Sequence, residues 1–600
     1  MPAWKPSAAD ALFTLYHAAD FDAVRQIPAF GEATPDLVEA MLQEAARIAV
    51  DVVAPLNERS DRVGAQWTPE GVRFPEGFAE AWRTLGEGGW IGLPFPSALG
   101  GQAMPESLFN VFAEWIPAAS LGFAQTMTLT AGAIEALIAH ASDELIERFV
   151  PKLVSGEWTG TMNLTEPQAG SDVGALRTSA RRMPDGSYRI KGQKIYITSG
   201  EHDMTDNIVH LVLARVEGAP AGTAGISLFV VPRVRVNADG SLGERNDVRC
   251  QSIEKKLGIH GSATCVMVYG DADECEGLLV GEENRGMAAM FTMMNAARLH
   301  VGLQGLGCAD RAYQAALEWA EQRVQGVPVG REARDARPII EHPDVRRMLM
   351  DMRVKIEAAR AICYRASTAL DIARHHPDEA ARQRGQDELD LLTPMAKSYA
   401  TDIGCEVASE AIQVFGGMGF IEETGVAQIY RDVRITPIYE GTNGIQAWDL
   451  ANRKLKTGGG RLWQTILEEI RNTVAELSDT GLDKLAPALL NAAESVEDIA
   501  HQFLQLHAGK PSDVAAGSVA FQRLFATTVA AWLLTRNAIA AARELNQGAN
   551  NSAFLNSRIV FARYYIERHL SAALGLRASI LAGADDLFEL DASQLGPAAA

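Results

Sequence analysis

The sequence predicts a mostly helical protein with an inserted antiparallel β domain and a further helical domain at its C-terminal end. Two changes of hydrophobic period predict this order: the helical repeat of three to four residues gives way to strict alternation near residue 159 and returns near residue 283. The glycine run at 457–460 then predicts a linker. We therefore expect five segments, an N-terminal extension (1–34), a helical domain (35–158), a β domain (159–282), a helical bundle (283–456) and an additional helical domain (457–600).

The first helical domain begins at Pro35. Apolar residues from Leu37 to Val52 recur at positions three and four apart, which indicates an amphipathic helix. Glycines and prolines between 86 and 101 predict a turn-rich loop, and helical periodicity resumes over about 105–138.

The β domain is indicated by alternation and by a hairpin signal. Asp185-Gly186 precedes the first clear strand at 188–190, and strands are predicted at 208–216, 226–236 and 264–269. We expect these strands to form a small antiparallel sheet.

After residue 283 the pattern predicts long helices over about 345–375 and 388–414. Gly416 and Gly417 are typical of a helix stop. The Gly-, Arg- and Pro-rich stretch 326–338 is interpreted as a loop between helices, and the charge-rich run 377–390 as a solvated loop.

Composition excludes several classes of protein. The chain has 55 Lys plus Arg against 76 Asp plus Glu, a net charge of −21, which repels nucleic-acid phosphates and anionic lipid. The six cysteines include no CxxC pair and predict reduced thiols without a metal site. No run approaches the roughly 18 uninterrupted apolar residues that span a bilayer. We expect a cytoplasmic protein that binds neither nucleic acid nor membrane.

One acidic residue stands out as a candidate catalytic group. Glu440 lies between Ile438-Tyr439 and the glycine turn Gly441–Gly444. A carboxylate in such apolar surroundings loses hydration, which raises its pKa and suits it to remove a proton from carbon near neutral pH. A solvated surface turn is an equally good interpretation of this segment by itself.

Three further segments have the same ambiguity when each is taken alone. They are Met162-Asn163-Leu164-Thr165-Glu166-Pro167-Gln168-Ala169-Gly170-Ser171-Asp172, Tyr196-Ile197-Thr198-Ser199-Gly200 and Gln413-Val414-Phe415-Gly416-Gly417-Met418-Gly419-Phe420. In this order and at these spacings, together with the Glu440 segment, they resemble the TEPxAGSD, WIT-like, QxxGGxGF and IYEGT motifs of the acyl-CoA dehydrogenase family. The resemblance covers roughly residues 35–455.

The resemblance implies an FAD cofactor between the β domain and the second helical block, with an acyl-CoA thioester stacked on the flavin. Glu440 would remove the α proton while hydride passes from the β carbon to flavin N5, giving trans-2-enoyl-CoA. The implied cofactor contacts are Met162, Leu164, Thr165, Gly170, Ser171, Tyr196, Ile197, Thr198, Arg323, Thr442 and Gly444, together with Gln413, Gly416 and Gly417, which would lie near the FAD of a neighbouring subunit. The implied substrate contacts are Ser171, Asn295, Arg298 and Gly441.

Three positions qualify this assignment. Tyr196 stands where the family has Trp, so a smaller ring would flank the flavin. Ala297 replaces the alternative catalytic Glu of some members and cannot take a proton, which leaves Glu440 as the matched base. Arg298 lies on an apolar helix face, where a buried ion pair that fixes helix packing and a role near the substrate are both open.

The resemblance also predicts partners and leaves the substrate open. Electron-transfer flavoprotein is the expected electron acceptor, a homodimer the expected assembly, and fatty acid β-oxidation the expected pathway. The length and the added C-terminal helices resemble a large branch of the family, which includes an enzyme that acts on 3-methylthiopropanoyl-CoA. An acyl-CoA oxidase and a flavin-bearing nucleic-acid protection protein are the alternative functions, and the acidic balance disfavours the latter.

Overall fold

The computed structural model describes residues 4–330 and 335–597. Helices dominate, and a β domain interrupts them, as the sequence predicts. The helices are α1 (Ala8–His17), α2 (Phe21–Arg25), α3 (Pro35–Ile48), α4 (Leu56–Val63), α5 (Phe78–Glu87), α6 (Glu106–Ala119), α7 (Leu121–His140), α8 (Asp143–Val154), α9 (Gly286–Gln322), α10 (Pro343–His375), α11 (Glu379–Phe415), α12 (Val426–Val433), α13 (Asn443–Asp449), α14 (Arg461–Ala475), α15 (Ala486–Leu506), α16 (Pro511–Asn546), α17 (Ser552–Tyr565), α18 (Ser571–Leu574) and α19 (Arg577–Ile580).

The strands lie almost entirely between α8 and α9. They are β1 (Gln66–Thr68), β2 (Gly71–Arg73), β3 (Trp158–Asn163), β4 (Ser179–Arg182), β5 (Tyr188–Thr198), β6 (Asn207–Val216), β7 (Ile226–Pro232), β8 (Val234–Val236), β9 (Leu242–Arg245), β10 (Val248–Ile253), β11 (Thr264–Tyr269) and β12 (Glu276–Val280).

The chain forms two compact units. The first holds the N-terminal residues up to Pro6, Glu32–Ala315 and Ala411–Ile435; the second holds Ser7–Gly31, Ala316–Glu410 and the chain from Thr436 onward. The five predicted segments are therefore interleaved between units, and their boundaries remain a prediction.

The main sheet of the first unit has the strand order β10-β11-β5-β12-β7-β6-β3, and β4 pairs with β5 and β6. Most pairs are antiparallel, as expected, but β3 and β4 each run parallel to β6. Alternation of side chains carries no information on strand direction, and residues 164–206 are long enough for the crossover that a parallel pair requires. β6 and β7 are buried almost throughout, so both faces of the sheet are covered at its centre.

The prediction of a loop at 377–390 is wrong, because α11 begins at Glu379. Polar pairs one turn apart stabilise its first turns: Gln383 Nε2 donates to Asp387 at 2.8 Å and Gln386 Nε2 to Asp390 at 3.0 Å. Arg365 of α10 also bonds Glu388. The charged run is therefore the outer face of a helix. In the other predicted loop, 326–338, residues 331–334 lie outside the described residues.

The N-terminal segment, expected to be an extension, is part of the core of the second unit. Asp10 of α1 is buried and accepts from Arg353 at 2.7 Å and from Arg558 of α17 at 3.0 Å. Glu357 of α10 accepts from Arg558 at 2.9 Å and from Arg360 at 2.8 Å. Burial alone would raise the pKa of the Asp10 carboxyl, but the neighbouring guanidinium groups hold that pKa well below its usual value.

Two helices, α7 and α16, are long and apolar enough to cross a membrane by composition. The most apolar window of each is 94% and 89% buried inside the protein, respectively, as expected for helices of a protein core. Within the described residues no cluster of His, Cys, Asp or Glu could hold a metal ion.

Asp10→Asn is expected to lower the free energy of unfolding by about 3–5 kcal/mol, because it removes one of the two buried carboxylates that neutralise Arg353 and Arg558 and leaves Glu357 as their remaining partner. Urea unfolding followed by circular dichroism measures the change. Asp22→Asn is the matched control: Asp22 pairs with Arg25 at 2.6 Å in the same N-terminal segment but is 59% exposed, so a loss below about 1 kcal/mol is expected. Equal losses in the two variants would contradict a buried ion cluster.

Candidate active site

The loop that carries Glu440 has an unusual backbone. Glu440 has a φ of 55° and Gly441 a φ of 82°, so two consecutive residues adopt the left-handed conformation. For a residue with a side chain, this conformation costs on the order of 1–3 kcal/mol, and such residues cluster at functional sites because only the surrounding structure maintains them.

Three hydrogen bonds maintain the Glu440 loop. The backbone N–H of Asn443 donates to the Pro437 carbonyl at 3.0 Å and closes the turn. The buried Gln446 side chain donates to the carbonyl of Glu440 at 3.2 Å, and the Thr442 hydroxyl caps α13 by accepting from the Ile445 N–H at 3.3 Å. The loop is thus fixed at both ends and at Glu440 itself.

Asn443 fastens the loop to α11 through its side chain. The amide oxygen accepts from Lys397 Nζ at 2.8 Å, and the amide nitrogen donates to Asp402 Oδ1 at 2.7 Å and to the Ser398 carbonyl at 3.2 Å. Lys397 is completely buried. The position of the carboxylate therefore depends on one asparagine and on one segment of α11.

The Glu440 side chain is partly buried, and its neighbour Ile438 is 49% exposed. The protein alone therefore does not enclose the carboxylate. The dry environment that the sequence analysis expects for this base remains a prediction for the complex with a bound thioester.

A separate group of the predicted site residues lies in the first unit. Thr165, Gly170 and Ser171 belong to the loop after β3, and Tyr196, Ile197 and Thr198 form the end of β5. The structure joins these two segments directly, because the Ile195 N–H donates to the Thr165 carbonyl at 2.9 Å. Met162 and Leu164 are half-buried beside them, whereas Gly170 and Ser171 are exposed.

A buried ion pair organises the loop after β3. Glu166 accepts from Lys194 Nζ at 2.8 Å, from the Thr178 hydroxyl at 2.6 Å and from the Arg177 N–H at 2.7 Å. Lys194 also donates to the Leu164 carbonyl at 3.0 Å. Burial alone would raise the pKa of Glu166, but Lys194 and these donors lower it to about 2, while burial lowers the pKa of Lys194 to about 8.

Tyr196 presents an aromatic ring at the surface. Its side chain is 62% exposed and its φ is 59°, while the next residue, Ile197, is buried in the sheet. The left-handed turn at the strand end therefore directs a large ring outward, which fits stacking against a flat ligand.

The helix end after α11 provides an open backbone surface. Gly416 has a φ of 63°, and a Cβ added at Gly416 or Gly417 would meet no atom within 4 Å. Gly419 differs, because a Cβ there would lie 2.3 Å from the Ile412 carbonyl. Gln413 is exposed on the last turn of α11, and Phe420 is 88% exposed. Exposed glycine backbone, Gln413 and aromatic surface together fit the flat rings and polar chain of FAD.

The remaining predicted residues lie on or beside α9. Arg298 is only 6% exposed and donates to Asn295 Oδ1 at 3.2 Å. Arg323 directly follows α9 and is exposed, and its carbonyl accepts from the Ile339 N–H at 2.8 Å. The packing role and the substrate role of Arg298 both stay predictions.

Sequence reasoning missed the residues that hold these loops. Glu166 and Lys194 form a buried pair although each looks like an ordinary polar residue in the sequence, and Lys397 and Asp402 lie inside a long helix. The only available signal was a lysine and an aspartate between buried apolar residues of α11. His260 bonds Asp61 Oδ1 at 2.8 Å and the Lys256 carbonyl at 3.0 Å.

Comparison with known domain families matches almost the whole chain. Residues 36–157, 161–272 and 284–455 match the N-terminal, middle and C-terminal domains of acyl-CoA dehydrogenase, and residues 466–591 match a family described as acetyl-CoA dehydrogenase C-terminal like. The last match covers the added C-terminal helices.

Individual relatives match at full length. A 3-methylmercaptopropionyl-CoA dehydrogenase of Ruegeria pomeroyi is 42% identical over 94% of this chain and 95% of its own length. A butyryl-CoA dehydrogenase of Syntrophomonas wolfei is 36% identical over 90% of both chains. Among solved structures, the butyryl-CoA dehydrogenase of Megasphaera elsdenii matches 70% of this chain and 99% of its own, with a TM-score of 0.58 and 27% identity.

A Bacillus anthracis acyl-CoA dehydrogenase complexed with FAD shares the fold over more of the chain. It covers 93% of this chain and 89% of its own, with a TM-score of 0.70 and 20% identity. The added C-terminal helices therefore belong to a fold seen in other proteins.

Glu166→Gln is expected to lower the free energy of unfolding by about 3–5 kcal/mol near neutral pH, because buried Lys194 loses its partner. The pKa of Glu166 is about 2 in the folded protein against an ordinary 4.5, so its contribution is complete above about pH 4.5 and declines as the pH falls toward 2. Urea unfolding at several pH values should show a shallower acid dependence in the variant.

The control is Glu157→Gln, which removes an exposed carboxylate paired with Lys152. Its acid dependence should match that of the natural protein. An unchanged acid profile in Glu166→Gln would contradict the lowered pKa of Glu166.

Proposed function

Because the chain belongs to the acyl-CoA dehydrogenase family, we propose that Glu440 is the base that removes the α proton of its acyl-CoA substrate. The protein is an FAD-dependent oxidoreductase of acyl-CoA thioesters. The observation that supports Glu440 is its left-handed backbone within a loop fixed by Asn443 and Gln446. Left-handed backbone at a residue with a side chain is energetically costly, and such residues cluster at functional sites.

The α proton of a thioester is weakly acidic, so its removal requires a base held in contact and a donor for the charge that grows on the carbonyl oxygen. Glu440 supplies the base. Membership of the family implies that the Glu440 backbone N–H is a donor to the thioester oxygen. Binding of the thioester would exclude water from the partly buried carboxylate and raise its pKa.

Residues of the loop after β3 and of the end of β5 are assigned to the cofactor. Tyr196 would stack on the ring system, and Thr165, Ser171 and Thr198 would donate or accept hydrogen bonds. Gly416 and Gly417 would allow close backbone approach to the FAD of a neighbouring subunit. When bound, FAD supplies the acceptor for the hydride that leaves the β carbon. The Glu166–Lys194 pair would keep the loop after β3 in the shape that fits it.

The proposed substrate is 3-methylthiopropanoyl-CoA. The support is the full-length relative of Ruegeria pomeroyi, which is named for this thioether substrate and is 42% identical. Butyryl-CoA is the second candidate, because two relatives of Syntrophomonas wolfei named as butyryl-CoA dehydrogenases are 36% and 39% identical. The second candidate would place the enzyme in fatty acid β-oxidation.

Electron-transfer flavoprotein is the proposed acceptor. A relative from Acetobacterium woodii, 30% identical over 64% of this chain and 92% of its own, is named as a subunit of a caffeyl-CoA reductase-Etf complex. A cytoplasmic homodimer is proposed as the assembly, with the C-terminal helices covering the surface through which smaller members pair further. Oxygen as acceptor, as in an acyl-CoA oxidase, is the alternative, and stopped-flow mixing of reduced enzyme with air distinguishes the two.

Glu440→Gln is expected to retain FAD and to lower the rate of flavin reduction by about 10²–10⁴-fold, because the amide cannot accept the α proton. Anaerobic stopped-flow measurement of flavin bleaching provides the rate, and the visible spectrum provides the FAD content. Glu468→Gln, at an exposed position of α14, is the control and should bleach normally. Normal bleaching by Glu440→Gln would refute the proposed base.

A panel of thioesters tests the substrate. Flavin reduction is measured with 3-methylthiopropanoyl-CoA, butyryl-CoA and longer acyl-CoA esters. We expect the ratio of the reduction rate to the substrate Kd to be highest for the thioether. A clear preference for butyryl-CoA or for a long chain would replace the proposed substrate and would leave the role of Glu440 intact.

A further inference from the structure

The segment of α11 from Pro394 to Glu406 makes two sets of contacts within the second unit. One set binds the Glu440 loop through Asn443, as described above. The other set binds helices α16 and α17, which lie beyond the residues matched to the three acyl-CoA dehydrogenase domains. The same stretch of α11 therefore contacts both the base loop and the C-terminal helices.

Two adjacent residues of α16 make the second set of contacts. Gln522, which is 4% exposed, donates to the Pro394 carbonyl at 2.8 Å. Arg523 bonds Glu406 Oε1 at 2.8 Å, and its guanidinium lies 5.3 Å from the centre of the Tyr399 ring. Lys355 bonds the other Glu406 oxygen at 2.9 Å, and the buried hydroxyls of Tyr399 and Tyr565 of α17 are hydrogen-bonded.

Asp402 lies between the two sets of contacts. It is one helical turn from Ser398 and one turn from Glu406, so the three share a face of α11. Burial raises the pKa of the Asp402 carboxyl, and the Asn443 amide and the positive charge of Arg523 oppose that rise. The carboxylate is thus stabilised from the loop side and from the C-terminal side at once.

A second connection leads to the same place. Helix α13, which starts at Asn443, packs against α16. Displacement of α16 would therefore move both the first turn of α13 and the α11 segment to which Asn443 is fastened. Loops at functional sites keep their geometry only if the groups behind them are themselves held in place.

We propose that Arg523 and Asp402 are positioning residues for the reaction, through which the C-terminal helical domain sets the orientation of Glu440 by way of Asn443. This assignment gives the added domain a role in the chemical step, and it rests on the proposed role of Glu440 as the base. Arg523 and Asp402 act through Asn443 and do not contact the substrate.

The test uses Arg523→Gln, Asn443→Ser and the double variant as FAD-loaded enzymes. Each single change is expected to lower the rate of flavin reduction at saturating acyl-CoA by about 10- to 100-fold, because a base displaced by a fraction of an ångström loses its contact geometry. FAD content and substrate Kd should stay within about threefold of the natural enzyme, since ground-state binding is not affected. The double variant should be no slower than the slower single variant, because both changes break one connection.

Arg543→Gln is the matched control. Arg543 is on the same helix and pairs with Glu476 at 2.8 Å, but that pair is half-exposed and does not involve α11. Arg523→Lys should recover part of the rate, because it keeps the positive charge near Asp402 and Glu406.

Normal flavin reduction by Arg523→Gln and Asn443→Ser would overturn the proposal, as would a loss that merely follows lost FAD, or effects that multiply in the double variant. Should Arg523→Gln not fold, Asn443→Ser and Asp402→Asn carry the test from the loop side. Glu440→Gln separates the two hypotheses: if it is inactive while the positioning variants are normal, only the positioning role fails.

Discussion

The left-handed backbone at Glu440 is the constraint on which the proposed chemistry depends. A carboxylate on a short loop works as a base only if its backbone cannot relax, and here relaxation is prevented by hydrogen bonds from Asn443 and Gln446. The Asn443 side chain is held in turn by the buried Lys397 and the partly buried Asp402 of α11. In the proposed arrangement, α11 links the C-terminal helices to this short loop.

The base loop and the loop after β3 are held in place in the same way. In the second unit an asparagine fastens the base loop, and in the first unit the Glu166–Lys194 pair fastens the loop after β3. In both cases a buried lysine is hydrogen-bonded, Lys397 to Asn443 and Lys194 to Glu166. Burying a charge is costly unless it has a partner, so each contact also restricts the loop to one conformation.

Periodicity predicted the order of helices and strands, and glycine chemistry predicted the end of α11 at Gly416. Periodicity could not predict that α11 starts at Glu379, because a helix with a charged outer face has the composition of a solvated loop. It also could not predict that β3 and β6 run parallel, because alternation does not depend on strand direction. The candidate ligand-contact residues were predicted from their motifs, and their roles stay predictions. Glu166, Lys194, Lys397 and Asp402 were not assigned roles, because their partners are 28 to 46 residues away in sequence and only the tertiary structure brings them together.

The buried pairing of Asp10 with Arg558 has a consequence for biosynthesis. Asp10 can pair with Arg353 before α17 exists, but the ion cluster is complete only after Arg558 has been translated, 548 residues after Asp10. Contacts between such distant residues form late and slowly. The core of the second unit therefore stays incomplete during most of synthesis. Chaperones that shield exposed apolar segments would therefore be needed most before α16 and α17 have been synthesised.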